Sequence, residues 1–218
     1  MGRLSTTTTV YGRTADGFVR SYNTTYATAR TGSNLSYDDT GATLVVGQLY
    51  HTNSTYYVWE NFLSFDTGTP IPDTDIVETA TLSLYGLTDY TDASDFVVEA
   101  RTHSWTTSGL GTDDWVAGAS LSGKTLLASF GTLNFVTSDY NVFVSEAAFV
   151  DAISLTGLTE ILLSSSRQRV GNTPTGKEYV YFTTTEYAEG TTTDPKLVVV
   201  HAPPAAGFTS LINTSSVA

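Results

Sequence analysis

The sequence contains no cysteine. That absence excludes disulfides, zinc ribbons, iron–sulfur clusters and thiol catalysis together. Methionine occurs once, lysine is scarce, and 10 basic residues stand against 22 acidic ones, for a formal net charge of −12. The basic residues are scattered, the densest group being Arg167 with Arg169. A nucleic-acid binder needs a basic stripe to displace counterions, so nucleic acid is not an expected partner. An anionic membrane surface is disfavoured for the same reason. No run approaches the roughly 18 apolar residues of a membrane span. Alanine, leucine and glutamate never cluster for long, which excludes a helical bundle as the main architecture.

Hydrophobic residues make up 40% of the 218 positions, enough to bury a core. Threonine fills 39 positions and tyrosine 13. Both favour strands, and threonine also fills loops. Strand signals fall at 6–11, 17–22, 42–48, 56–66, 79–85, 96–101, 125–130, 160–165, 178–184 and 196–201, split by clusters of Gly, Asn, Asp and Thr. A polar loop is expected over 23–41. A loop-rich span over 102–122 holds two of the three tryptophans. In the strongest strand, Tyr57, Trp59, Asn61, Leu63 and Phe65 alternate with Val58, Glu60, Phe62 and Ser64. The first set is the more apolar and is expected to look inward. One helix is expected over 142–153, with Ser145 as cap, Glu146 in the first turn and Gly157 beyond the end. There is no internal repeat and no linker. The expected fold is all-β, a jelly-roll β-sandwich of about ten strands with one short helix over 1–201. An extended C-terminal tail follows over 202–218.

The residues that could carry chemistry are dispersed. His51, His103 and His201 stand in no metal-binding frame, and no G-x-S-x-G elbow is present. Ser–His–Asp triads are spatial, so the order of residues does not decide them. Asp89, Asp92 and Asp95 recur at three in one loop. Hard cations take several oxygens from such loops, which makes these three candidate calcium ligands, although Asp also simply favours turns. No cofactor is expected beyond calcium at these residues. Gly109-Leu110-Gly111-Thr112 lacks the third glycine of a dinucleotide loop. Trp59 reads as core. Trp105 and Trp115 are candidate glycan contacts, flat rings that stack on sugar faces, or else pins for a long loop. Nothing marks two of the 22 acidic residues as a catalytic pair, no catalytic residue is assigned, and a non-enzymatic protein is expected.

Several segments carry a resemblance. Asn61-Phe62-Leu63-Ser64-Phe65-Asp66-Thr67 precedes a proline-containing turn, and Ile76-Val77-Glu78-Thr79-Ala80-Thr81-Leu82-Ser83-Leu84-Tyr85-Gly86 follows it. Leu163-Ser164-Ser165-Ser166-Arg167 and Asp194-Pro195-Lys196-Leu197-Val198-Val199-Val200 stand near the end. This order resembles the DNRLRE-type domains, jelly-roll sandwiches akin to some carbohydrate-binding modules. Their signature is reduced here to 164–171. The chain is also similar to small Thr- and Tyr-rich structural proteins of tailed bacteriophages. Met1-Gly2-Arg3 is followed by no apolar h-region, as suits a virion protein made in the host cytoplasm and released by lysis. The resemblance implies a minor tail, tail-tip or capsid-decoration protein. It would dock on other virion proteins, assemble with further copies of itself, and expose loops to solvent or host-surface glycan. Phe208, Leu211 and Ile212 in the tail are the candidate docking anchors. The alternative is a carbohydrate-binding module of an extracellular protein, stabilised by calcium.

Overall fold

The computed structural model describes residues 4–14, 16–105, 109–188 and 190–205. Within them the chain forms β1 (Thr6–Tyr11), β2 (Gly17–Asn23), α1 (Tyr26–Thr31), β3 (Ser36–Asp38), β4 (Thr43–His51), β5 (Thr55–Asp66), β6 (Ile76–Tyr90) and β7 (Val97–Thr102). There follow β8 (Leu126–Gly131), β9 (Tyr140–Val142), β10 (Val144–Ser145), α2 (Ala148–Ala152), β11 (Leu158–Ser165), α3 (Ser166–Val170), β12 (Lys177–Thr183) and β13 (Lys196–Ala202). The expectation of an all-β sandwich holds. The strands form one large curled antiparallel sheet in the order β1-β13-β6-β12-β4-β5-β11-β7-β8-β10, with β2, β3 and β9 as side branches. The curl closes on a core that includes Leu44, Val46, Leu63, Phe65, Leu84 and Phe182. Each large side chain so buried contributes roughly 1.5–3 kcal/mol.

The sheet forks at β5. One edge of β5 pairs with β4 as far as Gly47–Trp59 and with β11 from Asn61–Leu163 onward. Asn61 plugs the fork. Its Oδ1 accepts from the Val45 backbone N–H at 2.8 Å, and its Nδ2 donates to the Val45 carbonyl at 2.7 Å. The side-chain amide thus completes a ladder that the departing strand leaves unfinished, as buried backbone groups require.

The fork also explains why the reading of β5 as a one-sided strand needs correcting. Leu63 and Phe65 do enter the main core, but Val58, Glu60, Phe62 and Ser64 are fully buried too. Their side is covered by α1, α3 and the long loop after β7, through contacts such as Phe62 with Trp105 and Val58 with Tyr26. The helix expected over 142–153 shrinks to the five residues of α2. Its first residues extend instead, with Val142 pairing Ser83 and Val144 pairing Ser129. The loop expected over 23–41 contains α1 and β3. The last strand runs through Ala202, one residue past the expected boundary.

Helix α3 closes the buried side with charge. It is capped by Ser165, which accepts from the Arg167 N–H, and it ends at Gly171 with φ 84°. Gly171 and Asn172 donate back to Gln168 and Arg167 carbonyls, the pairing that suits a left-handed glycine stop. Three successive side chains of this turn meet three buried glutamates on three strands. Arg167 pairs with Glu178 of β12 at 2.6 Å, Gln168 donates to Glu60 of β5 at 2.6 Å, and Arg169 pairs with Glu99 of β7 at 2.8 Å. Arg101 also pairs with Glu99, and Gln48 donates to Glu178.

Burial pushes the Glu60 carboxyl from the ordinary 4.5 up to about 8, against the opposing pull of the Val116 N–H and Gln168. Between those two values the native chain holds a proton that the unfolded chain has lost. Stability from this group is therefore greatest below about pH 4.5 and falls by roughly 1.4 kcal/mol per pH unit up to about pH 8. Glu60→Gln should remove that share of the fall, read as a flatter dependence of the urea midpoint on pH.

Candidate functional site

Strand register assembles the site. On the sheet surface facing away from α1 and α3, one row crosses five strands. It runs Tyr90 of β6, Tyr179 of β12, Gly47 of β4, Trp59 of β5 and Arg20 of β2. The next row runs Lys177, Leu49, Tyr57 and Tyr22. A third holds Tyr181 opposite Val45, with Phe18 at the β2 end. Four strand spacings of about 4.8 Å make this surface about 19 Å wide.

The rings form a continuous chain. Tyr22 stacks on Tyr57 at 5.7 Å, and Tyr57 on Trp59 at 5.9 Å. Trp59 meets Tyr179 at 5.6 Å, and Tyr179 meets Tyr90 at 5.1 Å and Tyr181 at 5.5 Å. Each such pair adds about 0.5–1.5 kcal/mol beyond its buried area. Trp59 and Tyr179 form the floor, each 8% exposed. Tyr57, Tyr90 and Tyr181 are half-buried, and Tyr22 is 36% exposed. Loss of solvent raises the Tyr179 hydroxyl to about 12 and shifts Tyr181 upward. Both therefore remain neutral hydrogen-bonding groups at ordinary pH.

Gly47 is what lets the two floor rings meet. It lies between Trp59 and Tyr179 in the row, with φ 137°, and a Cβ there would sit 2.2 Å from the Glu178 carbonyl oxygen. Cations flank the chain at both margins. The Arg20 guanidinium lies 5.6 Å from the Tyr57 ring centroid and 5.7 Å from that of Tyr22. The Lys177 ammonium lies 4.5 Å from the Tyr90 centroid, with Asp92 at 3.8 Å. Beside Lys177 a cleft of about 430 Å³ opens between Leu49, Tyr50, His51 and Thr175.

The residues singled out from sequence lie elsewhere. Trp105 is 7% exposed and packs edge-on against Phe62, with Leu110 and Val116 around it. Trp115 is half-buried against Gly32, whose added Cβ would meet the indole at 2.7 Å. Both rings pin the loop after β7 onto the sheet, so neither stands out as a platform. Asp89, Asp92 and Asp95 do not converge. Asp89 accepts from the Thr91 N–H and hydroxyl, Asp92 reaches Lys177, and Asp95 accepts from Thr132. Among the described residues no three His, Asp or Glu groups gather at metal-ligand spacing. Phe208, Leu211 and Ile212 lie outside the described residues.

One spatial triad does form. His201 Nδ1 lies 2.7 Å from Asp75 Oδ2, and its Nε2 lies 2.9 Å from Thr8 Oγ1. Thr8 sits mid-ladder opposite Val199, and His201 is 3% exposed beneath it. The imidazole ties the edge strand to the turn before β6.

No known family model and no curated protein matches this chain. The site therefore stands on its own geometry. A sequence signal for it existed: aromatic or cationic residues recur at i and i+2 in Arg20/Tyr22, Tyr57/Trp59 and Tyr179/Tyr181. That period places each pair on one strand face. Register alone unites the three pairs.

Gly47→Ala should cost about 2–4 kcal/mol by equilibrium urea unfolding, from backbone strain and the clash with Glu178. A cost below about 0.5 kcal/mol would contradict this role for the missing side chain.

Proposed function

We propose that the protein is a non-enzymatic binding module whose tyrosine face holds an extended glycan. The observation that carries this reading is the unbroken ring chain from Tyr22 to Tyr90, laid across five strands with cations at both margins. Rigid rings offer large apolar contact at small entropic cost, and tyrosine hydroxyls, Arg20 and Lys177 supply the polar bonds that sugar hydroxyls need. Borne on a virion, as the sequence resemblance implies, such a face would meet host-surface polysaccharide. A second reading takes the same face as the docking surface on a larger particle, because Tyr, Trp and Arg are also the residues enriched at protein interfaces.

Titration against a panel of neutral and acidic polysaccharides by affinity electrophoresis separates the two. Tyr22→Ala and Tyr57→Ala should each weaken glycan binding about tenfold, or about 1.4 kcal/mol. Trp105→Ala should lower stability and leave the affinity of the folded protein unchanged. Absence of binding across the panel, with Tyr22→Ala blocking incorporation into particles, would favour docking.

A further inference from the structure

Outside the ring chain, a carboxylate is buried without an adequate partner. Asp16 lies in the turn between β1 and β2 and is 0% exposed. Neither of its side-chain oxygens makes a hydrogen bond of ordinary geometry, and the Ser64 backbone N–H is close enough only to favour its charge weakly. Its Oδ2 lies 2.6 Å from the point where a Cβ on Gly12 would stand. Thr185 and Pro195 pack around the same glycine, so the turn meets the segment that leads into β13. In that segment Asp194 is 6% exposed with Oδ1 unpartnered, and the buried Thr193 hydroxyl is unpartnered too. Gly12, Glu186 and Asp194 line an open cleft of about 750 Å³ here.

The charges around Asp16 are mostly of its own sign. Burial raises its carboxyl well above the usual range, and Glu186 and Asp194 push it further. The Ser64 backbone N–H and Arg13 pull the other way, each more weakly than burial does. A buried, unpaired carboxylate costs several kcal/mol, and natural folds meet that cost by a proton or by a cation.

We propose that Asp16 and Asp194 form the core of a divalent-cation site of calcium type, with the Thr193 hydroxyl as a further oxygen and Glu186 adding negative field. A calcium ion takes six to eight oxygens and accepts hydroxyl, carbonyl and water oxygens beside two carboxylates. Among the described residues no three acidic or imidazole groups gather at one point, and two carboxylates with hydroxyl, carbonyl and water oxygens are compatible with that shell. Bound there, the ion turns mutual repulsion into attraction and fastens the β1–β2 turn to the start of the last strand. Protons compete for the same oxygens, so affinity falls on acidification.

The test is calcium chloride added to chelator-stripped full-length protein at neutral pH, followed by calorimetric titration and thermal unfolding. One ion per chain is expected, with Tm rising about 5 °C or more at a hundredfold excess over Kd. Asp16→Asn should abolish the rise, and Asp92→Asn should keep it. Terbium luminescence excited through tyrosine and displaced by calcium reads the same site on the unmodified chain, should Asp16→Asn fail to fold. Absence of heat, of a Tm shift and of terbium signal up to about ten times the millimolar range of weak calcium modules would overturn the proposal. So would an equal Tm rise in Asp16→Asn and the unmodified protein. A stability gain in Asp16→Asn, together with no calcium response in the unmodified protein, would assign the carboxyl a proton instead.

Discussion

Three glutamate side chains buried beneath one helical turn are the constraint on which this fold rests. Glu60, Glu99 and Glu178 stand on β5, β7 and β12, strands from both sides of the fork. Left alone, each would be an uncompensated buried acid, costing more than any single apolar contact returns. Arg167, Gln168 and Arg169 satisfy all three from consecutive positions, which a helical turn allows because it fans its side chains outward. The turn is held from behind. The Arg30 guanidinium of α1 donates to the Gln168 and Arg169 carbonyls, so both helices seat together on the sheet. The neighbouring Tyr26–Gln48–Glu178 bonds extend the network into β4. Breaking one pair strands its glutamate, so the layer is cooperative by construction.

Sealing one surface with charge and helices leaves the other to aromatic residues. The two faces of β4, β5 and β12 are chemically opposite. Gln48, Glu60 and Glu178 point to the helices, while Leu49, Trp59 and Tyr179 point to the ring chain. Rings on neighbouring strands interact because register sets them side by side, and Gly47 removes the one side chain that would part Trp59 from Tyr179. Self-packing keeps the floor rings rigid and leaves their outer neighbours half open, the state a preorganised binding surface needs.

Much of this was legible from residues alone. Period-two alternation located the principal strands to within a few positions, because a half-buried strand must alternate. It failed where two faces are both covered, as along Val58 to Phe65, since alternation then carries no sign of the buried side. The spacing of Ala148, Phe149, Ala152 and Ile153 marks a true helical turn, yet Val142 and Val144 joined strands because open ladder edges of β6 and β8 lay beside them. The loop tryptophans were conspicuous by type but were spent as packing. Asp89, Asp92 and Asp95 were conspicuous by spacing but faced apart, because loop spacing fixes no direction.

By itself the sequence determined the class: a cysteine-free, acidic, threonine- and tyrosine-rich chain folds as a β-sandwich because its alternation admits little else. It also determined which residues share a strand face, since that follows from local geometry. The tertiary structure alone decided which faces met. Register between β2, β5, β4, β12 and β6 turned separate aromatic pairs into one surface, and the fork at Asn61 placed Glu60 under α3. The surface unites residues as far apart in sequence as Tyr22 and Tyr179. Their pairing depends on how the strands close around a shared core, which no local pattern encodes.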